Sequence, residues 1–526
     1  MIKLSVSTSN KDLVYLSSKM LGIFTLTLAC ILGAPFKAYA DAPLAGFDRY
    51  VEEKMQQWQV PGLAIAVVKD DKVVFAKGYG TRTAGKKEPV DKDTLFAIAS
   101  MSKYITATSL AMLAAEGVIS FDEPIVKYLP NFKVKDPLIT QQVTIRDILS
   151  HRTGLQRADF AWGTRPSLTR KELLSLLQHL DTEKPFRDSY LYNNLLYMAA
   201  GEVIPAVTGD SWDTFVKRRI FSPLGMARSN TSIDDFSGVD NIASPHAVVE
   251  GELVSVPYLR VNSTGPAGSI NSSVWDMAQW FRLQLNGGIV DGRELIPEKL
   301  LNNTRTVHNP LRGSNRLEKE NHNHFIDEFT KYGLGISVNE SNPYLIYGHG
   351  GGLIGMSSFN VFVPEHNLGV VVLTNRANEM AYPLVGMVLN RYLGNETKGD
   401  MVDLFMIDRQ AKALKGQREI ASFPYNPLEE IPSLEDASYG GVYVNDLMGK
   451  FVIEESVTGA LEFYWGEIVR GELVHLNANT FVQKIVEPRG ISDLKLTEDI
   501  LEFTNIKGRS AHSFILDGYT FKRMDK

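Results

Sequence analysis

Apolar and polar positions fall into a hairpin pattern near the start of the chain. The stretch VPGLAIAVVKDDKVVFAKGYG, Val60 to Gly80, holds two strand-like runs on either side of a turn at Asp70-Asp71. A helical pattern near Ala45 to Trp58 precedes it. At FAIASMSKYITATSLAMLAAEG, Phe96 to Gly117, the pattern changes. No residue from Tyr104 to Ala115 carries a charge, so a helix here is apolar on every side and predicts burial. From Phe121 to Gly201 helical patterns alternate with breakers, as in TRKELLSLLQHL, Thr169 to Leu180. The stretch from Asn262 to Arg282 reads as a Gly/Ser loop feeding a helix capped at Ser272 or Ser273.

Strand patterns return at Tyr332 to Val338, Ser357 to Pro364 and Leu368 to Asn375, and a helix over Ala381 to Leu393 follows. Strands at both ends with helices between them predict an α+β unit, one sheet completed by the two ends around a helical insertion. The stretch from Arg418 to Ala437 carries three prolines and reads as a linker. Beyond it, alternating residues with frequent turn signals predict a small antiparallel sheet or barrel. The expected organisation is a leader over 1–40, a main unit over 41–400, a helix and proline-containing linker over 401–435, and a β domain over 436–526.

Composition adds exclusions. With 44% hydrophobic residues, 22% charged residues and a net charge of −6, the chain has the balance of a globular protein. It has no basic stripe interleaved with aromatics, so no nucleic-acid partner is expected. Lys3, Lys11 and Lys19 precede the apolar run LGIFTLTLACILGA, and Ala38-Tyr39-Ala40 has the small-x-small form of a cleavage site. This predicts a secretory signal cut after Ala40 and a periplasmic or secreted protein with no membrane span after cleavage. The rival is an uncleaved anchoring helix. Cleavage takes the net charge from −6 to −9 and removes Cys30, the only cysteine. Without a cysteine, disulfides, thiolate metal sites and a cysteine nucleophile are all excluded.

Three short patterns carry candidate chemistry. Ser100 and Lys103 stand at i and i+3, so on a helix they share a face and hydroxyl can meet amine. A lysine against an apolar helix has its ammonium form disfavoured, and a neutral amine beside a hydroxyl is a base beside a nucleophile. Alone the pattern is weak: serine also caps helices, and Ser492 and Lys495 repeat the spacing in the C-terminal β region. The second pattern is Tyr192 and Asn194, ahead of another apolar helix. The third is His349-Gly350-Gly351-Gly352, where glycines would clear a strand edge for substrate.

In this order, Ser-x-x-Lys, Tyr-x-Asn and His-x-Gly resemble the signature of penicillin-recognising serine hydrolases, the class C β-lactamase and DD-peptidase-like group. The likeness extends over Ala45 to Leu393 and includes TIRDILSHRTGL, GPAGSINSSVWDMAQW and YGLGI. It implies a β-lactamase/transpeptidase-like antiparallel sheet flanked by helices with an all-α insertion, followed by a small lipocalin-like β domain. It also implies an acyl-enzyme on Ser100, with Lys103 as proton partner and Tyr192 relaying a proton to the leaving group. Asn194, His349, Gly350 and Gly351 would bind substrate, and the N–H groups of Ser100 and Gly352 would form the oxyanion hole.

No cofactor or metal is implied, and the partner is a small molecule or short peptide. A homo-oligomer through the C-terminal domain is a further expectation. The departure from the family pattern is His349 where β-lactamases carry lysine. A histidine is mostly neutral at pH 7, which favours the esterase or D-aminopeptidase branch. A β-lactamase, and a non-catalytic β-lactam-binding sensor or scaffold, are the alternatives. His322 and His324 read as loop histidines, His151 as a turn residue, and Tyr197 as packing beneath Tyr192.

Overall fold

A computed structural model describes residues 43–249, 251–310, 330–340, 344–395, 399–421, 434–488 and 500–524. The leader with Cys30, most of the proline-containing linker, His322, His324, Ser492 and Lys495 lie outside the described residues. The chain divides into two compact units at Arg49 and Tyr50, and everything below concerns the second.

A seven-stranded antiparallel sheet organises the main part. From edge to edge its strands are Lys72–Gly80, Gly62–Lys69, Leu368–Thr374, Met356–Val363, Ile346–Leu353, Ser337–Asn339 and Lys331–Tyr332. The first hairpin turns at Asp70 and Asp71 with φ of 50° and 61°, the left-handed pair that a tight two-residue turn requires. Leu63 pairs with Thr374 and Lys69 with Leu368, so strands from the two ends of the main unit complete one sheet.

Helices cover both faces. The helix Ala381–Leu393 lies on one, where Tyr382 stacks on Phe359 at 4.4 Å between ring centroids. The helices Ser102–Ala115 and Val274–Leu285 lie on the other, where Tyr104 and Phe281 both meet Phe362. The helix Ser102–Ala115 is buried from Ser102 through Leu113, as its chargeless sequence predicts. Ser273 is the cap of Val274–Leu285, its hydroxyl accepting the Asp276 N–H.

The expected strand Tyr332–Val338 is not continuous. Gly335 adopts φ of 78° and sits so close to the next layer that a Cβ there would lie 2.7 Å from the Lys103 carbonyl oxygen. A tertiary contact, invisible in the local pattern, breaks the strand into Lys331–Tyr332 and Ser337–Asn339.

After a helix over Met401–Ala421, eight strands from Gly441–Asn445 to Tyr519–Arg523 close into a barrel, the last pairing with the first at Tyr443 and Arg523. The lumen is filled with rings: Phe514 stacks on Phe521 at 4.8 Å and meets Phe451 and Phe503. One rim of the barrel is fastened to the loop 159–168. Phe160 stacks on Trp465 at 4.4 Å, the Glu467 N–H donates to the Thr164 carbonyl at 2.7 Å, and the Ser167 hydroxyl bonds the Glu467 carboxylate. Among the described residues no helix is long and apolar enough to cross a membrane.

Candidate active site

The backbone is bent to present Ser100. Phe96 and Ala97 pair with Ser272 and Asn271, then Ala99 turns into the left-handed region at φ of 48°. That conformation costs a residue with a Cβ roughly 1–2 kcal/mol, so its neighbours must hold it. Ser102 Oγ donates to the Ala99 carbonyl at 2.7 Å and accepts the Ile270 N–H at 3.2 Å. Ser358 Oγ donates to the Ile98 carbonyl at 2.9 Å. Ser100 therefore rides on a short 3-10 turn ahead of the helix and caps nothing: the capping position is Met101, with no side-chain bond.

Lys103 is fully buried one turn along. Its Nζ lies 3.2 Å from Ser100 Oγ, donates to the Ala267 carbonyl at 2.7 Å and sits over the Tyr192 ring at 4.7 Å. Burial holds this amine well below the ordinary lysine value, with Asp159 opposing and Arg157 adding to the effect. Burial pushes the Tyr192 phenol above the ordinary tyrosine value, with the neighbouring Ser100 hydroxyl opposing the effect. The Ser100 hydroxyl thus neighbours an amine disposed to accept a proton and a phenol disposed to keep one. Environments that drive two titratable groups apart in this way separate base from acid.

The remaining expected residues fall into place around this centre. Asn194 opens the helix Asn194–Thr208, and its amide donates to Asp159 Oδ1 at 2.9 Å. His349 is buried on the strand Ile346–Leu353: Nδ1 donates to the Gly350 carbonyl at 2.6 Å, which leaves Nε2 to accept the Tyr332 hydroxyl at 2.9 Å in the neutral ring. The glycines correct the expected reasoning. A Cβ on Gly350 would lie 2.1 Å from the Tyr382 hydroxyl, and one on Gly351 would lie 2.1 Å from the Ile98 carbonyl oxygen. Both positions are cleared for the protein's own atoms, Gly351 for the turn that carries Ser100. Only Gly352 has open space where a side chain would be.

Ser100 and Gly352 border a cavity of about 190 Å³. Its walls are mostly apolar, with Phe160, Trp162 and Leu259 from the main unit and Ile468 and Val469 from the barrel rim. The charged pair at its edge is Arg157 and Asp159, joined at 2.5 Å. Burial raises Asp159, but Arg157, Asn194 and Trp162 outweigh it and hold the carboxyl below its usual range. Among the described residues no cluster of His, Asp or Glu is arranged to hold a metal ion.

Two residues at this site escaped the sequence reading. Arg157 and Asp159 organise the loop beside Asn194, and a charged pair two residues apart at the head of RADFAWG was the available hint. His151 is indeed a turn residue, at φ of 56°, but its ring lies 4.3 Å from that of Tyr192. Tyr197 is fully buried with its hydroxyl on the Leu149 carbonyl at 2.6 Å, beneath Lys103.

The family model described as Beta-lactamase matches residues 47–386, the whole sheet and its helices. The chain belongs to this family. Unguisins hydrolase ungD of Aspergillus violaceofuscus is 32% identical over 259 residues, which is 46% of either protein, so the chain spans about half the length of this curated relative. The octameric penicillin-binding protein homologue from Pyrococcus abyssi aligns with 91% of this chain and 99% of its own, at 21% identity and a TM-score of 0.60. A D-stereospecific amidohydrolase from Streptomyces sp. covers 65% of this chain and 99% of its own at 22% identity and a TM-score of 0.51. These two likenesses establish the fold of this β-lactamase-family chain, which a C-terminal closed barrel completes.

Proposed function

We propose that this protein is an exported serine hydrolase that cleaves an ester or amide through an acyl-enzyme on Ser100. The observation that carries the reading is the buried Lys103 amine 3.2 Å from Ser100 Oγ and 4.7 Å from the centre of the Tyr192 ring. Ser100 Oγ attacks the substrate carbonyl carbon while Lys103 takes the hydroxyl proton. The oxyanion that forms is received by the N–H groups of Ser100 and Gly352. When the bond to the leaving group breaks, the Tyr192 phenol donates to the departing atom and Lys103 returns the proton to Tyr192. Water then attacks the ester by the same path in reverse and frees the acid.

The substrate class is read from the walls. Apolar side chains on both sides of the cavity favour a substrate with an apolar group beside the scissile bond, a small molecule or short peptide. His349, bonded to Tyr332, stands where β-lactamases carry lysine and offers no permanently charged ammonium for a carboxylate, which supports esterase or D-amino-acid peptidase activity over β-lactamase activity. The relative named as a D-stereospecific amidohydrolase supports the same branch. Ile468 and Val469 put the barrel rim in the cavity wall, which supports a role for the barrel in limiting the size of that substrate.

The test compares the purified protein with Ser100→Ala on a p-nitrophenyl ester, a D-alanyl anilide and a chromogenic cephalosporin. Turnover that vanishes in the variant, with an acyl or phosphonyl adduct mapped to Ser100 by mass spectrometry, is the expected result. Equal inertness of both proteins on all three, with no adduct, sinks the enzyme reading in favour of a sensor or scaffold. Export predicts Asp41 as the first residue of the mature protein.

A further inference from the structure

His151 is bound to the chain on both sides of Tyr192. Its carbonyl accepts the Leu191 N–H at 2.9 Å, and its Nδ1 accepts the Asn193 N–H at 3.2 Å. Between those two bonds its ring lies against the Tyr192 ring, at 4.3 Å and 38°. We propose that His151 is the positioning residue for Tyr192, holding the phenol against Ser100 by gripping the residues before and after it.

The local geometry is built for that grip. A left-handed residue turns its carbonyl and its side chain toward the same segment, and histidine tolerates this region better than most side chains. His151 adopts it at φ of 56° and is anchored from behind, its N–H on the Ile148 carbonyl and its carbonyl shared with the Asn309 amide. Its ring is wedged among the rings of Tyr190, Tyr197 and Tyr332 at 5.0–5.6 Å and is 1% exposed. Since Nδ1 accepts, the proton of the neutral ring is on Nε2. That nitrogen has no hydrogen-bond partner among the described residues. A buried donor left unpaired costs stability, so stability alone does not account for a histidine here. Burial, with Lys103, His349 and Arg157 nearby, holds the imidazole well below the ordinary histidine value and keeps Nδ1 an acceptor.

This inference rests on the acyl-enzyme reading and adds a consequence to it. If His151 acts through Tyr192, losing it harms the step in which the leaving group needs a proton. An anilide nitrogen needs one to depart, whereas p-nitrophenolate leaves without it. Damage from His151 must therefore depend on the leaving group, which a general loosening of the site does not.

The experiment measures kcat/KM for a p-nitrophenyl ester and an anilide of one acyl group, Ser100 labelling by a fluorophosphonate, and melting temperature. The variants are His151→Asn, His151→Phe, Tyr192→Phe, the double variant His151→Phe with Tyr192→Phe, and Ser100→Ala. Asparagine tolerates the left-handed turn and offers Oδ1 in place of Nδ1, while phenylalanine keeps the ring and has no acceptor. His151→Phe is expected to lose about tenfold or more on the anilide relative to the ester. It should retain fluorophosphonate labelling and add little to Tyr192→Phe in the double variant. His151→Asn is expected to restore the wild-type ester-to-anilide ratio. Equal losses on ester and anilide, or additivity in the double variant, would overturn the proposal. If His151→Phe does not fold, His151→Gln serves: its acceptor overshoots the Asn193 N–H, so the same selective loss is expected and an equal loss again overturns it. Turnover that survives Ser100→Ala would instead remove the acyl-enzyme reading itself, and this inference with it.

Discussion

Phe451, Phe503, Phe514 and Phe521 fill the barrel with rings against rings, whereas Lys103, His151 and Tyr197 set titratable groups against rings beneath Ser100. Both interiors exclude solvent, yet they answer to different demands. In the barrel each ring buries a large apolar area and meets its neighbours edge to face or offset, which adds to stability. Below Ser100 an amine with no exposure is held well below its ordinary pKa by that burial, a state that weakens the fold and readies a base. Stability and reactivity are thus built in separate interiors of one chain.

The largest expected effect comes from making the catalytic floor obey the barrel's rule. Lys103→Met should cut turnover by about 10²–10⁴-fold, the worth of a positioned base, while raising the melting temperature. The pH dependence of stability gives the sign. Folded Lys103 binds its proton less tightly than the ordinary value of 10.5, so between its depressed value and 10.5 the unfolded chain holds more protons. Wild-type stability therefore rises with pH across that window, and the rise should vanish in Lys103→Met. Denaturant melts from neutral to alkaline pH check both.

Next is the opposite damage. Phe514→Ala empties the stacked centre of the lumen and should cost about 3–5 kcal/mol, read as a lower urea midpoint. A smaller loss is expected at a polar support of the catalytic floor. Asp147 is buried with Arg152 and Arg187 on its carboxylate; burial raises its pKa, but Arg187, the Thr144 N–H and Arg152 outweigh that and hold it below 3.8. Its contribution is present above the ordinary value and is lost as pH falls through the folded one. Asp147→Asn should cost about 2–3 kcal/mol at neutral pH and flatten the acid limb of a stability-against-pH curve. The smallest effect has the opposite sign. Gln483 is buried in the barrel with neither amide atom bonded to a partner among the described residues. Gln483→Leu should gain about 1 kcal/mol and leave kcat/KM unchanged, as a polar atom without a partner is replaced by an apolar one.

The parts of this design that were legible in the sequence are those written in short range. The Asp70-Asp71 hairpin, the buried helix after Ser100 and the Ser273 cap each depend on residues a few positions apart. The pairing of Ser100 with Lys103 is of the same kind, since one helical turn brings them together. Tyr192 came only with the resemblance, because nothing local to it points toward Ser100. What could not be seen was set by contacts between distant segments. Gly335 breaks a strand because it meets Lys103, Gly351 is small because it meets Ile98, and His151 matters because it grips residues 191 and 193. A glycine's position in the string does not say whose atoms it makes room for.

The sheet also has a history. The strand Gly62–Lys69 is synthesised about three hundred residues before its central partner, Leu368–Thr374. Until then an apolar hairpin waits with one edge unsatisfied, open to pairing with another chain. Synthesis of this protein therefore carries an interval of aggregation risk that ends only when the returning strand covers that edge.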